Sequence, residues 1–391
     1  MVKIRMLIFL VTLFIVGGIG IFASYYARGY RLNLKTFQFQ PNGILVIKSE
    51  PDGASVYVNG ELKTATNATI SLPPGTYDVE IKKDGFFNWY KRLTIEKEIV
   101  SQTTASLFKS VPSLSPVTSF GASNPVSSAD GTKIAFSVLP TGGVGSDKTG
   151  LWVLDTFTLP LGFSSGPKRI TDGDMTEATY SFSPDGRQIL LTISSSVSLI
   201  DSGSFTAQGQ RINIASKKEA TLAAWEAERA AKNQNTIKNL PTEVSDLLLR
   251  RSLSFTPSSD ETMVLYTASS SASLPDNLIK TLPGASTQKQ ERNIQPGYTY
   301  VYDIKEDRNF LISDQPVSGV LRWMPGSKLL LWAQEGQIII MDYDGTNRQI
   351  VYSGSYTAPY AFPSSNSTKL LILTNLGAAL SSPNLYTLTV K

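Results

Sequence analysis

Ser181-Phe182-Ser183-Pro184-Asp185-Gly186-Arg187-Gln188-Ile189-Leu190-Leu191 decides the fold, because weaker copies recur along the last two-thirds of the chain. The copies run Asn124–Phe136, Leu253–Tyr266, Leu321–Leu331 and Ala361–Ile372. Each has a strand ending in small or aromatic residues, a polar Pro/Asp/Gly turn, and then an apolar β-rich strand. Third strands, most of them ending in Asp, are expected at Leu151–Asp155, Val197–Asp201, Tyr300–Asp303, Ile338–Asp342 and Leu385–Thr389. Fourth strands are expected at Lys168–Thr171, Arg211–Ile214, Asn309–Ile312 and Arg348–Val351. A four-strand unit repeated at this spacing predicts a β-propeller over residues 110–391, with five blades favoured and six the alternative. After the fifth turn, three strands precede Lys391. Ser115-Pro116-Val117-Thr118, ahead of the first turn, aligns with Lys168–Thr171 ahead of the second and is expected to supply the missing outer strand. Closure of this kind leaves no sheet edge open to other chains.

The repeat is interrupted at residues 216–251. Ser216-Lys217-Lys218-Glu219 resembles a capping box, and Ala220–Lys232 is rich in strong helix formers. Leu222, Trp225 and Arg229 share one face of that helix. Pro241 fits the first turn of a second helix, in which Val244, Leu247 and Leu248 form an apolar stripe. Such a pair either packs on the side of the propeller or docks a partner through Trp225 and Leu248.

Composition narrows the chemistry. The chain has 391 residues, 41% hydrophobic and 17% charged, with a net charge of +4 spread along its length. That length calls for two or more domains. No run of Lys and Arg interleaved with aromatics marks a nucleic-acid groove. There is no Cys, so disulfides, thiolate nucleophiles and zinc–thiolate sites are excluded. There is no His either, which removes Ser-His-Asp triads, His-ligated metals and the usual base near neutral pH. No cofactor and no metal are expected, and carboxylate, Lys or Tyr chemistry is what remains.

Met6–Ala23 is uncharged and apolar, preceded by Lys3 and Arg5 and followed by Tyr25, Tyr26 and Tyr30. As a helix it spans roughly 27 Å, and continuing to Tyr26 reaches the thickness of a bilayer core. The tyrosines suit a headgroup boundary. A cleaved signal peptide is the alternative, but its apolar run would be shorter and Ile21-Phe22-Ala23 is a poor cleavage site. Arg28, Arg31 and Lys35 nearly balance the basic residues before the helix. The short basic N-terminus is nevertheless expected inside, which leaves the remainder outside the cytoplasm as a single-pass membrane protein. Residues 1–30 are thus a signal anchor and 31–42 a juxtamembrane segment.

Residues 43–109 alternate like short strands: Gly43–Lys48, Ser55–Val58, Ala68–Leu72, Tyr77–Lys82, Arg92–Ile95 and Thr103–Phe108. Asn59-Gly60 and Asp84-Gly85 supply tight hairpin turns between them. A small antiparallel β-sandwich is expected. Ser49-Glu50-Pro51-Asp52-Gly53-Ala54-Ser55-Val56-Tyr57-Val58-Asn59-Gly60, then Leu72–Val79, then Gly85–Trp89, resembles a PEGA domain, with Asp52 where the namesake motif usually has Glu. The resemblance implies a surface module of prokaryotic envelopes and no activity. Phe86, Phe87, Trp89 and Tyr90 form either an aromatic platform for sugar or cell-wall polymer, or core and rim of the sandwich.

Val111–Pro116 reads as a short stiff linker. Beyond it, Gln337–Ile350 is the unit most similar to the propeller repeats of TolB and its relatives. That resemblance implies a protein-binding platform, and PEGA plus propeller behind one helix is similar to bacterial envelope proteins. Asp342, Asp344 and Asn347 begin like a calcium loop, but Ser353 stands where the bidentate carboxylate belongs, so a hairpin turn explains them better. Asn67-Ala68-Thr69 and Asn366-Ser367-Thr368 match glycosylation sequons by chance. The chain therefore reads as a mainly β, membrane-anchored binding or scaffold protein for an envelope protein or cell-wall glycan. A propeller glycosidase or lyase using paired carboxylates, and a purely structural component, are the alternatives; no catalytic residue stands out.

Overall fold

The computed structural model describes residues 2–27, 30–33, 38–140, 145–156, 166–238, 240–280, 282–378 and 382–391. Two compact units result: Met1–Leu107 with Lys280–Lys289, and Phe108–Ile279 with Gln290–Lys391. The division falls at Leu107–Phe108, just ahead of the expected boundary at residue 109.

The first unit opens with helix α1, Val2–Ala27. Its Ile4–Ala27 stretch is long and apolar enough to cross a membrane, and none of it is buried. Strands β1 (Tyr30–Asn33) and β2 (Gln38–Pro41) pair in a hairpin. Then come β3 (Gly43–Glu50), β4 (Ser55–Val58), β5 (Glu61–Ala65), β6 (Ala68–Leu72), β7 (Gly75–Lys82), β8 (Trp89–Ile95) and β9 (Val100–Ser106). They form two sheets, ordered β6-β3-β9 and β5-β4-β7-β8. Period-two alternation turns Leu45 and Ile47 of one sheet toward Val56, Val58, Val79 and Ile81 of the other, with Trp89 and Ile95 completing the core. Asn59 and Gly60 both take positive φ, 51° and 82°, as a two-residue hairpin turn requires. The sandwich is not wholly antiparallel: β9 runs parallel to β3 from Ile44↔Val100 to Glu50↔Ser106. Between β3 and β9 the chain passes to the second sheet with β4 and β5, returns for β6 and leaves again for β7 and β8, and a long connection of this kind is what a parallel pair needs. Lys280–Lys289 belongs to this unit, where the Thr94 N–H donates to Thr287 Oγ1 at 3.1 Å and Gln288 Nε2 donates to the Arg92 carbonyl at 2.6 Å.

The first strand of the second unit is β10 (Ser113–Pro116), and among the described residues the unit holds five blade sheets and one two-stranded sheet. Blade 1 is β11 (Ser123–Ser127), β12 (Lys133–Val138), β13 (Gly150–Asp155) and β14 (Lys168–Asp172). Blade 2 is β15 (Ala178–Phe182), β16 (Gln188–Ile193) and β17 (Ser196–Asp201), followed by helices α2 (Lys218–Lys238) and α3 (Thr242–Arg250). Blade 3 starts with β18 (Ser252–Pro257) and β19 (Met263–Ala268). A small hairpin, β20 (Ala272–Ser273) and β21 (Asn293–Ile294), then precedes β22 (Thr299–Asp303) and β23 (Arg308–Ser313). Blade 4 is β24 (Val320–Trp323), β25 (Leu329–Gln334), β26 (Gln337–Asp342) and β27 (Gln349–Ser353). Blade 5 is β28 (Ala361–Pro363), β29 (Lys369–Thr374) and β30 (Asn384–Thr389), completed by β10 paired antiparallel to β30. The ring closes as expected, with the closing strand two residues earlier than Ser115–Thr118.

One turn chemistry joins first and second strands. Ser128, Ser183, Ser258 and Ser364 each donate a hydroxyl to Asp130, Asp185, Asp260 or Asn366 at 2.6–2.8 Å. Each hydroxyl also accepts the N–H of the first residue beyond the turn: Lys133, Gln188, Met263 or Lys369. The Ser183 hydroxyl, foremost, holds the Asp185 carboxyl below its ordinary range. Burial alone would raise Asp130 and Asp260, but the same bonds outweigh it. Asp342 and Asp344 likewise sit in a hairpin turn, where Asp344 Oδ1 accepts from Thr346 Oγ1 at 2.6 Å and the Gly345 N–H donates to the Asp342 carbonyl.

The core lies between blades. Ile134, Phe136 and Leu154 meet Phe362, Leu371 and Leu385 between blades 1 and 5. Leu151 and Val153 meet Phe182, Ile189 and Leu191 between blades 1 and 2, and Leu265 and Val301 meet Leu330 and Met341 between blades 3 and 4. Blade 2 departs from expectation, because Arg211–Ile214 forms no fourth strand. It contributes a single bridge, Ser198↔Asn213. The Asn213 side chain takes the place of a ladder, accepting the N–H groups of Val197 and Ala215 at 3.2 and 3.0 Å. Arg211 is drawn away to Thr171 Oγ1 and the Asp172 carbonyl. The helix start differs as well: a 3-10 turn over Ala215–Lys217 replaces the capping box, and Pro241 caps α3 from just outside it.

Closure by β10 joins the two ends of the ring, so its removal is felt everywhere. Deleting residues 113–119 is expected to lower the calorimetric melting temperature of the whole propeller in one cooperative transition. A deletion variant that melts like the wild type contradicts the closure.

Candidate binding surfaces

The four aromatic candidates of the first unit do not form one platform. Trp89 is in the sandwich core, 2% exposed, and Phe86 packs against that core. Phe87 is half-buried. Tyr90 alone is turned out, 53% exposed, and its hydroxyl accepts from Asn88 Nδ2 at 3.2 Å. Consecutive β8 residues point to opposite faces, so Trp89 and Tyr90 cannot share a surface. The exposed face of this sheet is ionic, with Arg92 in a two-bonded pair with Asp78 at 2.7 and 2.9 Å. Arg92 holds the Asp78 carboxyl below its ordinary range.

The helical insertion is built into the propeller. Trp225 packs with Leu190 and Val197 on the face of blade 2 turned away from blade 1. Val244, Leu247 and Leu248 pack with Val264, Tyr266, Tyr300 and Tyr302 on the face of blade 3 turned away from blade 4. Trp225 is 7% exposed and Leu248 1%, so neither offers a free surface to a partner. The helices supply an apolar layer for one face of blade 2 and one face of blade 3. Between Trp225 and Thr236, by contrast, the polar body of α2 is in solvent.

The first strands of the blades form the hub. Tyr180 of β15 donates to the Asn124 carbonyl of β11 at 2.6 Å, and Trp323 Nε1 of β24 donates to the Thr256 carbonyl of β18 at 2.9 Å. Arg322 of β24 lies over Phe362 of β28. Along β11, β15, β18, β24 and β28 there is one charged residue, Arg322, and no Asp or Glu. The arrangement can present hydroxyls and one guanidinium to a ligand. Sequence reading passed over Arg322 as a strand residue; the signal was a lone Arg between Leu321 and Trp323 in an apolar run.

Two measurements follow from this packing. Trp225→Ala is expected to cost about 3 kcal/mol and Leu248→Asp more, both within the propeller's own unfolding transition; melting like the wild type would place the helices outside the core. Asp303, at the end of β22, is 4% exposed, and burial raises its carboxyl to about 6 against the N–H groups of Lys305 and Glu306 that it accepts. Between the ordinary value of 3.8 and about 6, the native state keeps a proton that the unfolded chain has lost. Stability therefore falls as pH rises through that window and is level above it. Asp303→Asn is expected to be more stable than the wild type at pH 7 by on the order of 2 kcal/mol, and equal to it near pH 4, in urea unfolding.

Comparison with known proteins locates the first unit. Residues 42–110 match the PEGA domain. Among curated proteins, none matches the chain. Similar solved structures include a protein assigned as TolB from Agrobacterium tumefaciens, 13% identical, covering 68% of this chain and 78% of that one with a TM-score of 0.23. TolB from Acinetobacter baumannii is 13% identical, with 80% of this chain and 59% of that one covered and a TM-score of 0.22. An oligogalacturonate lyase in complex with manganese is 11% identical, with 83% and 81% covered and a TM-score of 0.24. Similarity this low carries no argument about this chain, whose architecture rests on its strand pairing. Behind its N-terminal helix the chain carries a PEGA domain and then a β-propeller of five blades.

Proposed function

We propose that this is a membrane-anchored binding or scaffold protein of the cell envelope, holding its PEGA domain and propeller outside the cytoplasm for an envelope protein or a cell-wall glycan. The observation that carries the reading is α1, whose apolar Ile4–Ala27 stretch is wholly unburied, whereas the sandwich and the propeller bury their own apolar faces. Leaving that much apolar surface in water is strongly unfavourable, and a bilayer is the solvent that suits it. The PEGA match supports an envelope setting, and the first strands support display rather than carboxylate catalysis, since they carry no Asp or Glu.

Protease added to intact spheroplasts is expected to digest both folded units, whereas protection until lysis overturns the orientation. Cross-linking in the native membrane, followed by purification, is expected to recover a defined envelope protein or glycan through the propeller. Recovery of neither, from cells in which the protein is inserted and folded, favours a purely structural component.

A further inference from the structure

Arg322 is the one charge on the five first strands, and no hydrogen-bond acceptor or carboxylate among the described residues meets it. Its guanidinium carbon lies 4.8 Å from the centre of the Phe362 ring. Its Nε is sealed from solvent without a hydrogen-bond partner. Nη1 and Nη2 are also without one among the described residues, but are not sealed. Other arginines of this unit are treated differently. Arg169 gives its fork to the carbonyls of Ser146, Asp147 and Thr149. Arg292 gives its fork to Asp307 and to the Pro275 carbonyl. Burial pulls Arg322 below its ordinary range, and nearby Tyr356 pushes the other way; a guanidinium stays protonated under such shifts. Tyr356 is itself engaged, donating to the Gln334 carbonyl at 2.5 Å.

A guanidinium stacked on a ring satisfies its flat face and leaves the in-plane N–H groups free. Those donors form a rigid fork whose spacing matches the two oxygens of a carboxylate. The equivalent positions on the other first strands are Val126, Ser181, Thr256 and Phe362, all uncharged, and no second cation lies on these strands. One positive charge balances a carboxylate, whereas a dianionic phosphate would keep a charge uncompensated in a partly desolvated place.

We propose that the Arg322 fork, backed by Phe362, is a carboxylate-binding site at the hub of the propeller. The proposal rests on the binding-platform reading and narrows it to one ligand chemistry. The carboxylate comes either from a small free acid or from the chain terminus of a bound protein, and the test separates them.

Full-length protein in detergent micelles is titrated calorimetrically with acetate, and with N-acetyl-triglycine bearing a free or an amidated C terminus. The wild type is expected to bind acetate and the free acid but not the amide, and R322Q to lose about tenfold or more in affinity. Acetate binding as tightly as the peptide acid assigns the small-molecule source; a clear preference for the peptide acid assigns a protein terminus. Equal binding by wild type and R322Q, or no binding of any carboxylate, overturns the proposal. Melting without added carboxylate guards against a merely structural arginine. R322M is expected to melt at or above the wild type, because an unpaired, partly buried cation is destabilising. A lower melting temperature of R322M, together with a wild type unmoved by acetate, makes Arg322 a packing residue and sinks the site. If no carboxylate binds but an envelope partner is still cross-linked through the propeller, the site is wrong and the platform reading stands.

Discussion

Each blade carries apolar side chains on both faces, and the need to cover both governs the second unit. A ring has no last face, so one missing contact leaves two sheets exposed. Sheet meets sheet between Phe136 and Phe362 of blades 1 and 5 and between Leu265 and Leu330 of blades 3 and 4. One face of blade 2 and one of blade 3 are covered instead by helices, with Trp225 on one and Leu248 on the other. The insertion that breaks the repeat is therefore part of what lets the ring close. The edge of β17, which has no fourth strand beyond it, is met instead by Asn213 and Ile214.

The turn between first and second strands sets the register on which those faces depend, since a slip of one residue exchanges buried for exposed side chains. Its third position after the leading Ser has positive φ in every blade: Gly131, Gly186, Glu261, Ser327 and Ser367. Glycine takes this conformation freely, and other residues with strain. Ser128-Ala129-Asp130-Gly131 and Ser183-Pro184-Asp185-Gly186 both unite the hydroxyl, the carboxylate and the glycine, and the second adds Pro184, which makes it the clearest copy in the sequence. Blade 4 has Met324 in place of the Ser and keeps the main-chain bonds of the turn, Met324 N–H to the Leu329 carbonyl and Ser327 N–H to the Met324 carbonyl. There, Ser327 bonds instead to Ser259 Oγ and the Asp260 N–H of the neighbouring turn. The weaker copies are those in which the local chemistry is partly handed to a neighbour.

The same distinction explains what the sequence made legible. Strand positions, the turns, the helical pair and the closing strand follow from local pattern, and they lie where expected to within a few residues. The exposed strand Glu61–Ala65 went unread because its residues face solvent and do not alternate. The parallel course of β9 depends on β3, some fifty residues away in sequence. Arg211–Ile214 alternates like a strand, but Arg211 is captured by blade 1 and Asn213 bonds through its side chain. Of the site candidates, Phe86, Phe87, Trp89 and Tyr90 are near one another in sequence, yet pleating separates Trp89 from Tyr90. Arg322 was invisible because being unpaired is a property of the tertiary surroundings, not of any window of residues.

Two arginines in one unit show what that property means. Arg292 is buried against Asp307 at 3.0 Å, and Asp307 accepts in addition from Tyr302 Oη at 2.9 Å and from the Leu278 N–H at 2.7 Å. Every group in that network has its complement inside the chain, so it fixes the base of the excursion from blade 3 and offers nothing outward. At Arg322 the described residues supply a ring and no acceptor. Carboxylates and free carbonyls are available elsewhere in the fold, so the missing partner does not reflect a shortage of acceptors. An unpaired guanidinium is a cost in the absence of ligand and a source of affinity in its presence, because binding removes the penalty as it forms the bonds. The hub is where that exchange can happen, since it is the one part of each blade whose neighbours are other blades' first strands rather than a packed apolar sheet.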